Sequence, residues 1–192
     1  MKKIKCELHG IAPIILHSCQ CANPLHPLSL AMKKITSKRN KTEEDLIKLS
    51  DLEWEGGLYW SDDIGVCFPG ENIEAAIREA GKSKKLGKQF QKGFVCEDMM
   101  IPLDYGENLT KEQLMADMRF RDVRPMKVKQ SRVIRTRPRF NMWNLTFTAM
   151  YDENILDLDD VVNAFEYAGQ YVGLADSRPK YGKFSARITE LN

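Results

Sequence analysis

The stretch AGQYVGLADSRPKYGKFSARI, residues 168–188, joins the end of a predicted helix to a predicted strand. Residues 159–171 have the apolar spacing of a helix that packs on a core, and residues 183–190 alternate apolar and polar side chains as a half-buried strand does. The loop between them is rich in glycine, which permits positive φ angles and close backbone approach. The segment therefore predicts a helix, a glycine-rich loop and a final strand.

Upstream periodicities predict a strand, a helix and two adjacent strands, at residues 3–9, 71–80, 122–138 and 140–151. Pro138 is expected in the turn between the last two strands. The resulting β-α-β-β-α-β order is that of ferredoxin-like, RRM-type folds. We therefore predict an α+β protein with one RRM-like domain over residues 1–192 and basic insertions at about 20–65 and 81–120.

Further patterned segments predict a helix that begins at Thr42, a hairpin, a strand and a short helix, at residues 42–54, 56–70, 94–103 and 110–120. Residues 29–41 and 82–93 are rich in lysine and have little apolar periodicity. These two segments are therefore predicted to be irregular connectors.

The composition indicates a folded protein of the cytoplasm. Hydrophobic residues make up 43% and charged residues 29% of the chain, values typical of a globular domain. No apolar run approaches the roughly 20 residues that span a bilayer, and the N-terminus has no apolar signal-peptide region. The five cysteines are an odd number, so we expect reduced thiols. We also expect no membrane association and no cofactor.

Positive charge is concentrated in residues 119–139, although the net charge of the chain is only +2. This segment has nine Lys or Arg and a single acid, Asp122, which leaves few local ionic partners. Alternate strand residues share a face at intervals of about 6.6 Å, similar to the phosphate spacing of a single strand. The alternative is a solvated sheet face or ion pairs with the acidic remainder. The predicted nucleic-acid-binding residues here are Lys127, Lys129, Arg132, Arg135, Arg137 and Arg139.

Two further lysine-rich patches lie in the predicted insertions. The first consists of Lys33, Lys34, Lys38, Arg39 and Lys41, and the second of Lys82, Lys84, Lys85, Lys88 and Lys92. Aromatic side chains that could stack on bases are Trp54, Tyr59, Trp60, Phe140, Trp143 and Tyr181. Core packing is the more usual role of tryptophan, and we expect it for Trp60 and Trp143.

The glycine-rich loop is predicted to contact nucleic acid as well. Exposed backbone N–H groups in such loops can hold phosphate oxygens, and the basic and aromatic side chains add charge and a stacking face. The alternative is that the glycines only end the helix and turn the chain. The predicted loop contacts are Gly173, Arg178, Lys180, Tyr181, Gly182 and Lys183.

Two resemblances follow from these motifs. The segment GLADSRPKYGKF resembles the glycine-rich loop of the RAMP superfamily, the Cas7-like proteins of CRISPR systems, although position 175 is Ala where those loops often have Gly. Over nearly its whole length the chain is similar to a family of small phage and prophage proteins of unassigned role. That similarity is carried by His17 with ANPLHP, then by ITSKRNKTEED, LEWEGGLYW, RPRFNMW and RPKYGKF.

The resemblances imply single-stranded RNA or DNA held without base preference along a basic face, with copies assembling as a homo-oligomer or Cas7-like filament. A second hypothesis is a phage interaction protein that inhibits a host or CRISPR protein complex. A third is a Cas6-like endoribonuclease, in which His17 or His26 would act as general acid or base. The spacing of His17, Cys19, Cys21 and His26 matches no standard zinc site, so no metal is predicted.

Overall fold

The structure is a computed structural model and describes residues 1–128 and 131–191. It confirms the α+β class, with antiparallel sheets. Two compact units make up the chain: unit 1 contains Met1–Ile14, Trp60–Glu107 and Asn141–Asn192, and unit 2 contains Ile15–Tyr59 and Asn108–Phe140. The single domain over residues 1–192 stays a prediction. Within the described part of the chain, no helix has the length and apolar character needed to cross a membrane.

The elements are, in chain order, β1 (Lys2–Gly10), β2 (Ile14–Ile15), α1 (Pro27–Thr36), α2 (Glu43–Gly57), β3 (Trp60–Ser61), β4 (Gly65–Pro69), α3 (Gly70–Gly81), α4 (Gly87–Gly93), β5 (Phe94–Cys96), β6 (Met100–Asp104), α5 (Lys111–Ala116), β7 (Arg121–Val128), β8 (Ser131–Phe140), β9 (Asn144–Tyr151), α6 (Leu158–Tyr167) and β10 (Phe184–Leu191). A π-helical turn, Ala168–Val172, extends α6.

Unit 1 is built on a sheet with the strand order β10-β1-β9-β6-β4-β3, in which β5 also pairs with β9. Strand β1 pairs antiparallel with β10 on one side and β9 on the other. Alternate residues of β1 (Ile4, Cys6 and Leu8) are fully buried, as the sequence alternation predicts. Helix α3 buries its predicted stripe of Ile73, Ala76, Ile77 and Ala80. The predictions for β1, α3 and the final strand are therefore confirmed.

The prediction of one strand over residues 122–138 is wrong. This segment belongs to a hairpin of β7 and β8, which pair from Arg121 with Pro138 to Val128 with Ser131. Pro138 is a strand residue of β8 and not the predicted turn. The neighbours of β9 in its own sheet are β1, β5 and β6. The sequence near the middle of this segment has no Gly, Pro, Asn or Asp to predict a break between two strands.

Two helices replace the predicted irregular connectors. Helix α1 begins with Pro27 in its first turn, where the missing N–H has no intrahelical role, and it buries Ile35. Helix α4 is anchored by the buried ring of Phe90. Helix α4 has one large apolar residue and therefore no stripe. Helix α1 has five apolar residues in ten, but the segment 29–41 omits its first two residues and adds the basic residues that follow it, which hid the pattern. Residues 94–103, predicted as one strand, form β5 and most of β6 instead.

Unit 2 is organised by the packing of α2 on β8, which pairs antiparallel with β7. The predicted start of α2 at Thr42 is confirmed, since Thr42 and Asp45 form a reciprocal capping box. Trp54 is fully buried, and its Nε1 donates a hydrogen bond to the Phe120 carbonyl at 2.8 Å. Satisfying the indole N–H in this way lets the largest side chain of α2 enter the core.

Close backbone contacts explain the glycines of the loop before β10. Gly173 and Gly182 are buried and have φ angles of 73° and 68°. A Cβ atom on Gly182 would lie 2.0 Å from the Leu174 carbonyl oxygen, and one on Gly173 would lie 2.6 Å from the Tyr181 carbonyl oxygen. The two ends of the loop therefore touch through their backbones, which only glycine allows.

Replacing Gly182 by Ala tests this close approach. Gly106→Ala is the matched control, because Gly106 has a φ of 81° but no atom within 4 Å of its added Cβ. The control should lose about 1–2 kcal/mol of unfolding free energy for the left-handed backbone alone. Gly182→Ala should lose about 1–3 kcal/mol more from steric overlap. Equal losses in urea denaturation would contradict the close approach.

Candidate nucleic-acid interface

The predicted binding residues fall in both units. Unit 2 contains Lys33, Lys34, Lys38, Arg39, Lys41, Lys127, Arg132, Arg135, Arg137 and Arg139. Unit 1 contains Gly173, Arg178, Lys180, Tyr181, Gly182 and Lys183. Lys129 lies outside the described residues. The two sets are therefore treated as separate surfaces.

The charge of the chain is divided unequally between the units. Unit 2 has sixteen Lys or Arg and nine Asp or Glu, whereas unit 1 has thirteen Lys or Arg and eighteen Asp or Glu. Unit 2 is thus strongly basic and unit 1 is acidic, although the whole chain is nearly neutral. A polyanion would be attracted to unit 2 and repelled by unit 1.

The β7–β8 hairpin places its basic residues on two faces. Arg135, Arg137 and Arg139 share one face, as strand alternation predicts. Lys127 and Arg132 are exposed and lie directly opposite each other in the register of the hairpin, on its other face. The hairpin therefore presents two groups of cations and not one continuous row.

Acidic side chains of unit 2 engage part of the basic segment. Arg121 binds Asp51 at 2.6 Å, Arg124 binds Asp122, and Arg135 binds Glu53. Arg119 binds Asp117 at 2.7 Å. The alternative of ion pairs with acidic residues is therefore confirmed for these four arginines. The helix α2, which is distant in sequence, supplies two of the acids.

A second group of cations lies at the C-terminal end of α1. Lys33 and Lys34 are in its last turn, where the helix dipole favours positive charge, and Arg39 and Lys41 follow it. All four are exposed. Lys38 differs from them because it binds Asp45 at 2.6 Å and lowers the pKa of that carboxyl group.

A groove of about 510 Å³ runs between α1 and α2, and we call it the α1–α2 groove. Its apolar lining includes Leu30, which is 43% exposed, and Ile35. Its charged lining is Lys34, Lys38, Lys48 and Asp45. Because Lys38 already pairs with Asp45, the remaining charge of the groove comes from lysine ammonium groups. The groove thus combines an apolar surface with cations.

The two candidate catalytic histidines have different surroundings. The Nδ1 atom of His26 accepts a hydrogen bond from the Leu28 N–H at 3.3 Å and caps the N-terminus of α1. His17 lines a cavity of about 390 Å³ with Glu53, Arg135 and Arg137, and we call this cavity the His17 pocket. Among residues 1–128 and 131–191, no group of three or more His, Cys, Asp or Glu is placed to hold a metal ion.

The glycine-rich loop in unit 1 uses much of its backbone internally. The N–H groups of Gly173 and Gly182 donate to the Ala168 and Pro13 carbonyls, at 2.7 and 2.8 Å. These two glycine N–H groups are therefore not available to a phosphate. Of the loop side chains, Lys183 is half-buried, and Lys180 lies over the Tyr181 ring, 5.7 Å from its centroid. The role of the loop in nucleic-acid binding stays a prediction.

The remaining loop cation, Arg178, lines an open groove of about 970 Å³ in unit 1. The groove also contains Glu79, whose pKa is lowered by its hydrogen bond to Lys82 and further by the positive charge of Arg178. Asp176 lines the same groove, so cations and carboxylates are mixed there. This mixture is a weaker attractant for a polyanion than the surface of unit 2.

Three of the six aromatic candidates, Trp54, Phe140 and Trp143, are buried and unavailable for stacking, which confirms the core role expected for Trp143. The core role expected for Trp60 is wrong, because its side chain is half-buried and its Nε1 donates to Asp62 at 3.0 Å.

Sequence analysis missed the exposed pair Tyr167 and Tyr171, whose ring centroids are 4.8 Å apart. Their i, i+4 spacing brings the two rings together beside α3, where both line a cavity with Ala80 and Phe90, and that spacing could have identified them.

The chain was compared with protein-family models and with curated proteins. No family model matches it, and no curated protein matches it significantly.

Proposed function

We propose that this protein binds single-stranded nucleic acid through the basic surface of unit 2, without base preference. The observation that carries the proposal is the excess of sixteen basic over nine acidic residues in this unit. Phosphate contacts dominate the affinity of non-specific nucleic-acid binders, and clustered cations are the feature such binding requires.

The exposed cations without acidic partners support this proposal most directly. Lys33, Lys34, Arg39, Lys41, Lys127 and Arg132 form no ion pair with any acid in the described part of the chain. By contrast, Arg124 and Arg135 also lie opposite each other in the hairpin, but each binds a carboxylate. Like charges directly opposite each other destabilise a sheet, so the pair Lys127 and Arg132 carries a cost that a bound phosphate would remove.

The α1–α2 groove supports a single strand as the ligand. An unpaired base can lie against the apolar surface at Leu30 while its phosphate contacts Lys34 or Lys48. Bases in a duplex are stacked and paired, and they cannot enter such a groove without being extruded. The groove offers apolar surface and lysine ammonium groups, which do not distinguish one base from another, so we expect binding without sequence preference.

We also infer a ferredoxin-like arrangement for unit 1. With β3, β4, α4 and β5 regarded as additions, its order β1, α3, β6, β9, α6, β10 follows the β-α-β-β-α-β pattern, and its strands β10-β1-β9-β6 lie in the sequence 4-1-3-2 of that pattern. The RRM-type and RAMP resemblances are compatible with this arrangement. Unit 1 is acidic, however, so the nucleic-acid surface that we propose belongs to unit 2.

The other hypotheses have less support from the site. An endoribonuclease would depend on His17, because His26 is engaged as the cap of α1. Assembly into a filament, inhibition of a host complex and the cytoplasmic location stay predictions. The choice between RNA and DNA as the ligand stays open. Intact labelled RNA after incubation with the protein is the expected result of a nuclease assay.

A charge-neutralising variant tests the proposed surface. The quadruple variant Lys33→Gln, Lys34→Gln, Lys127→Gln, Arg132→Gln should bind a fluorescent single-stranded oligonucleotide more weakly in anisotropy titrations. The slope of log affinity against log salt should become shallower by up to about 3, since each lost single-strand phosphate contact removes about 0.7.

The control removes the same charge from unit 1, with Lys84→Gln, Lys85→Gln, Lys88→Gln and Lys92→Gln. Its salt slope should stay within about 1 of the wild type, because these lysines lie outside the proposed surface. Equal effects of the two quadruple variants, or no binding at low salt, would contradict the proposal.

The groove between α1 and α2 makes a separate prediction. Leu30→Glu places a negative charge on its apolar lining and should weaken binding by about 1 kcal/mol or more, which is at least roughly fivefold. Leu25→Glu is the control, because Leu25 is 76% exposed in the same unit but does not line the groove. Similar losses in the two variants would show that only net charge matters.

A further inference from the structure

The His17 pocket has two guanidinium groups and one carboxylate in its lining. The carboxylate, Glu53, is fully engaged: one oxygen binds Arg135, and the other accepts a hydrogen bond from the Thr136 N–H at 2.9 Å. Arg137 is half-buried beside them, and its register partner in β7 is Asp122. Cys21 is the other titratable group of the lining. Its pKa is raised by burial, so it adds no negative charge at neutral pH.

The carbonyl groups of Glu55, Gly56 and Gly57 at the C-terminal end of helix α2, next to this pocket, all accept hydrogen bonds. The carbonyls of Glu55 and Gly56 accept hydrogen bonds from the Gln20 side chain at 3.3 and 3.1 Å. The Gly57 carbonyl accepts from the Ser18 N–H at 2.9 Å. These bonds use the acceptors that would otherwise give the helix end its negative character. Because Glu53 offsets one of the two guanidinium charges, the lining of the pocket keeps one net positive charge when His17 is neutral.

We infer that the His17 pocket binds one phosphate-like oxyanion, held by the guanidinium groups of Arg135 and Arg137. Guanidinium forks match the geometry of phosphate oxygens, and partial burial strengthens the interaction. The cavity of about 390 Å³ is larger than one phosphate group, so the oxyanion can be part of a phosphate monoester. The source is either a free small molecule or the terminal phosphate of a nucleic acid. The inference goes beyond non-specific strand binding, because it concerns one partly open pocket with defined lining side chains.

His17 couples this site to pH. The imidazole is at the exposed rim of the pocket, and its pKa is lowered by partial loss of hydration and then by repulsion from Arg137 and Arg135. The groups that face it across the pocket are Glu53 from α2, Cys21, and the two arginines of β8. A bound dianion offsets the repulsion from the arginines and favours the protonated imidazole. Binding should therefore take up a proton and become tighter as the pH falls.

Sulfate is the probe for the test, because its charge of two is constant between about pH 6 and about pH 8. Calorimetric titration should show tighter binding at the lower pH, and His17→Gln should remove this pH dependence. Arg137→Gln should weaken sulfate binding roughly tenfold or more. Arg137→Lys should give intermediate affinity, because it keeps the charge without the fork.

Arg132→Gln is the matched control, since Arg132 is on the same strand but outside the pocket. It should leave sulfate binding unchanged while it weakens the binding of single strands. Sulfate binding that responds equally to Arg137→Gln and Arg132→Gln, or that is absent at both pH values, would overturn the inference. If Arg137→Gln does not fold, the pH dependence of the wild type and of His17→Gln decides.

Oligonucleotides with and without a 5′ phosphate identify the source of the oxyanion. An advantage of the phosphorylated form that is lost in Arg137→Gln assigns the pocket to a strand end. Equal affinity of the two forms, together with sulfate binding that depends on Arg137, assigns it to a free phosphate ester. The quadruple variant Lys33→Gln, Lys34→Gln, Lys127→Gln, Arg132→Gln separates this site from the proposed strand-binding surface. It should lose strand binding and keep sulfate binding.

Discussion

The contact between helix α2 and the β7–β8 hairpin determines what unit 2 can do. Glu53 binds Arg135 and the backbone of Thr136, and Asp51 binds Arg121. The buried indole of Trp54 fixes the same helix to the Phe120 carbonyl. Removing one member of such a group would leave a charge or an N–H without its partner, which costs more than the bond itself contributes. These contacts also decide which cations of the hairpin are engaged within the protein.

The engaged and the exposed cations then have different roles. Arginines that face α2 hold the hairpin and line the His17 pocket, whereas Lys127 and Arg132 face solvent on the other side of the strands. The lysines after α1 add to the exposed group. A non-specific binder needs many weak phosphate contacts, and a pocket for a single oxyanion needs few strong ones. Unit 2 has separate residues for the two kinds of binding: exposed cations for a strand, and the arginines of the His17 pocket for a single oxyanion.

The parts of the fold that the sequence predicts are those with a strong period or a strong cap. Strand β1 and helix α3 have apolar positions that fit one periodicity, and Thr42 has the side chain that begins a helix. The pairing of β7 with β8 was missed because the sequence between them has no residue that favours a turn, so alternation alone suggested one long strand. Helix α4 was missed because Phe90 is its one large apolar residue, and helix α1 because the basic residues that follow it obscured its apolar positions.

The candidate site could be predicted only in its composition. The sequence shows which segments are basic, but the pairing of Arg135 with Glu53 and the meeting of His17 with Arg137 depend on contacts between distant segments. The loop glycines were recognised as special, yet close packing of Gly182 on Leu174 explains them without any ligand. Residue type thus indicated anion binding by basic side chains, and contacts within the fold determine which of those side chains can contact a ligand.

The most direct test of the central claim is lysine acetylation footprinting with and without a bound single strand, read by mass spectrometry. The account predicts protection of Lys33, Lys34, Lys41 and Lys127 in unit 2, while Lys84, Lys85 and Lys88 in unit 1 react as in the free protein. Protection confined to the lysines of unit 1 would contradict it.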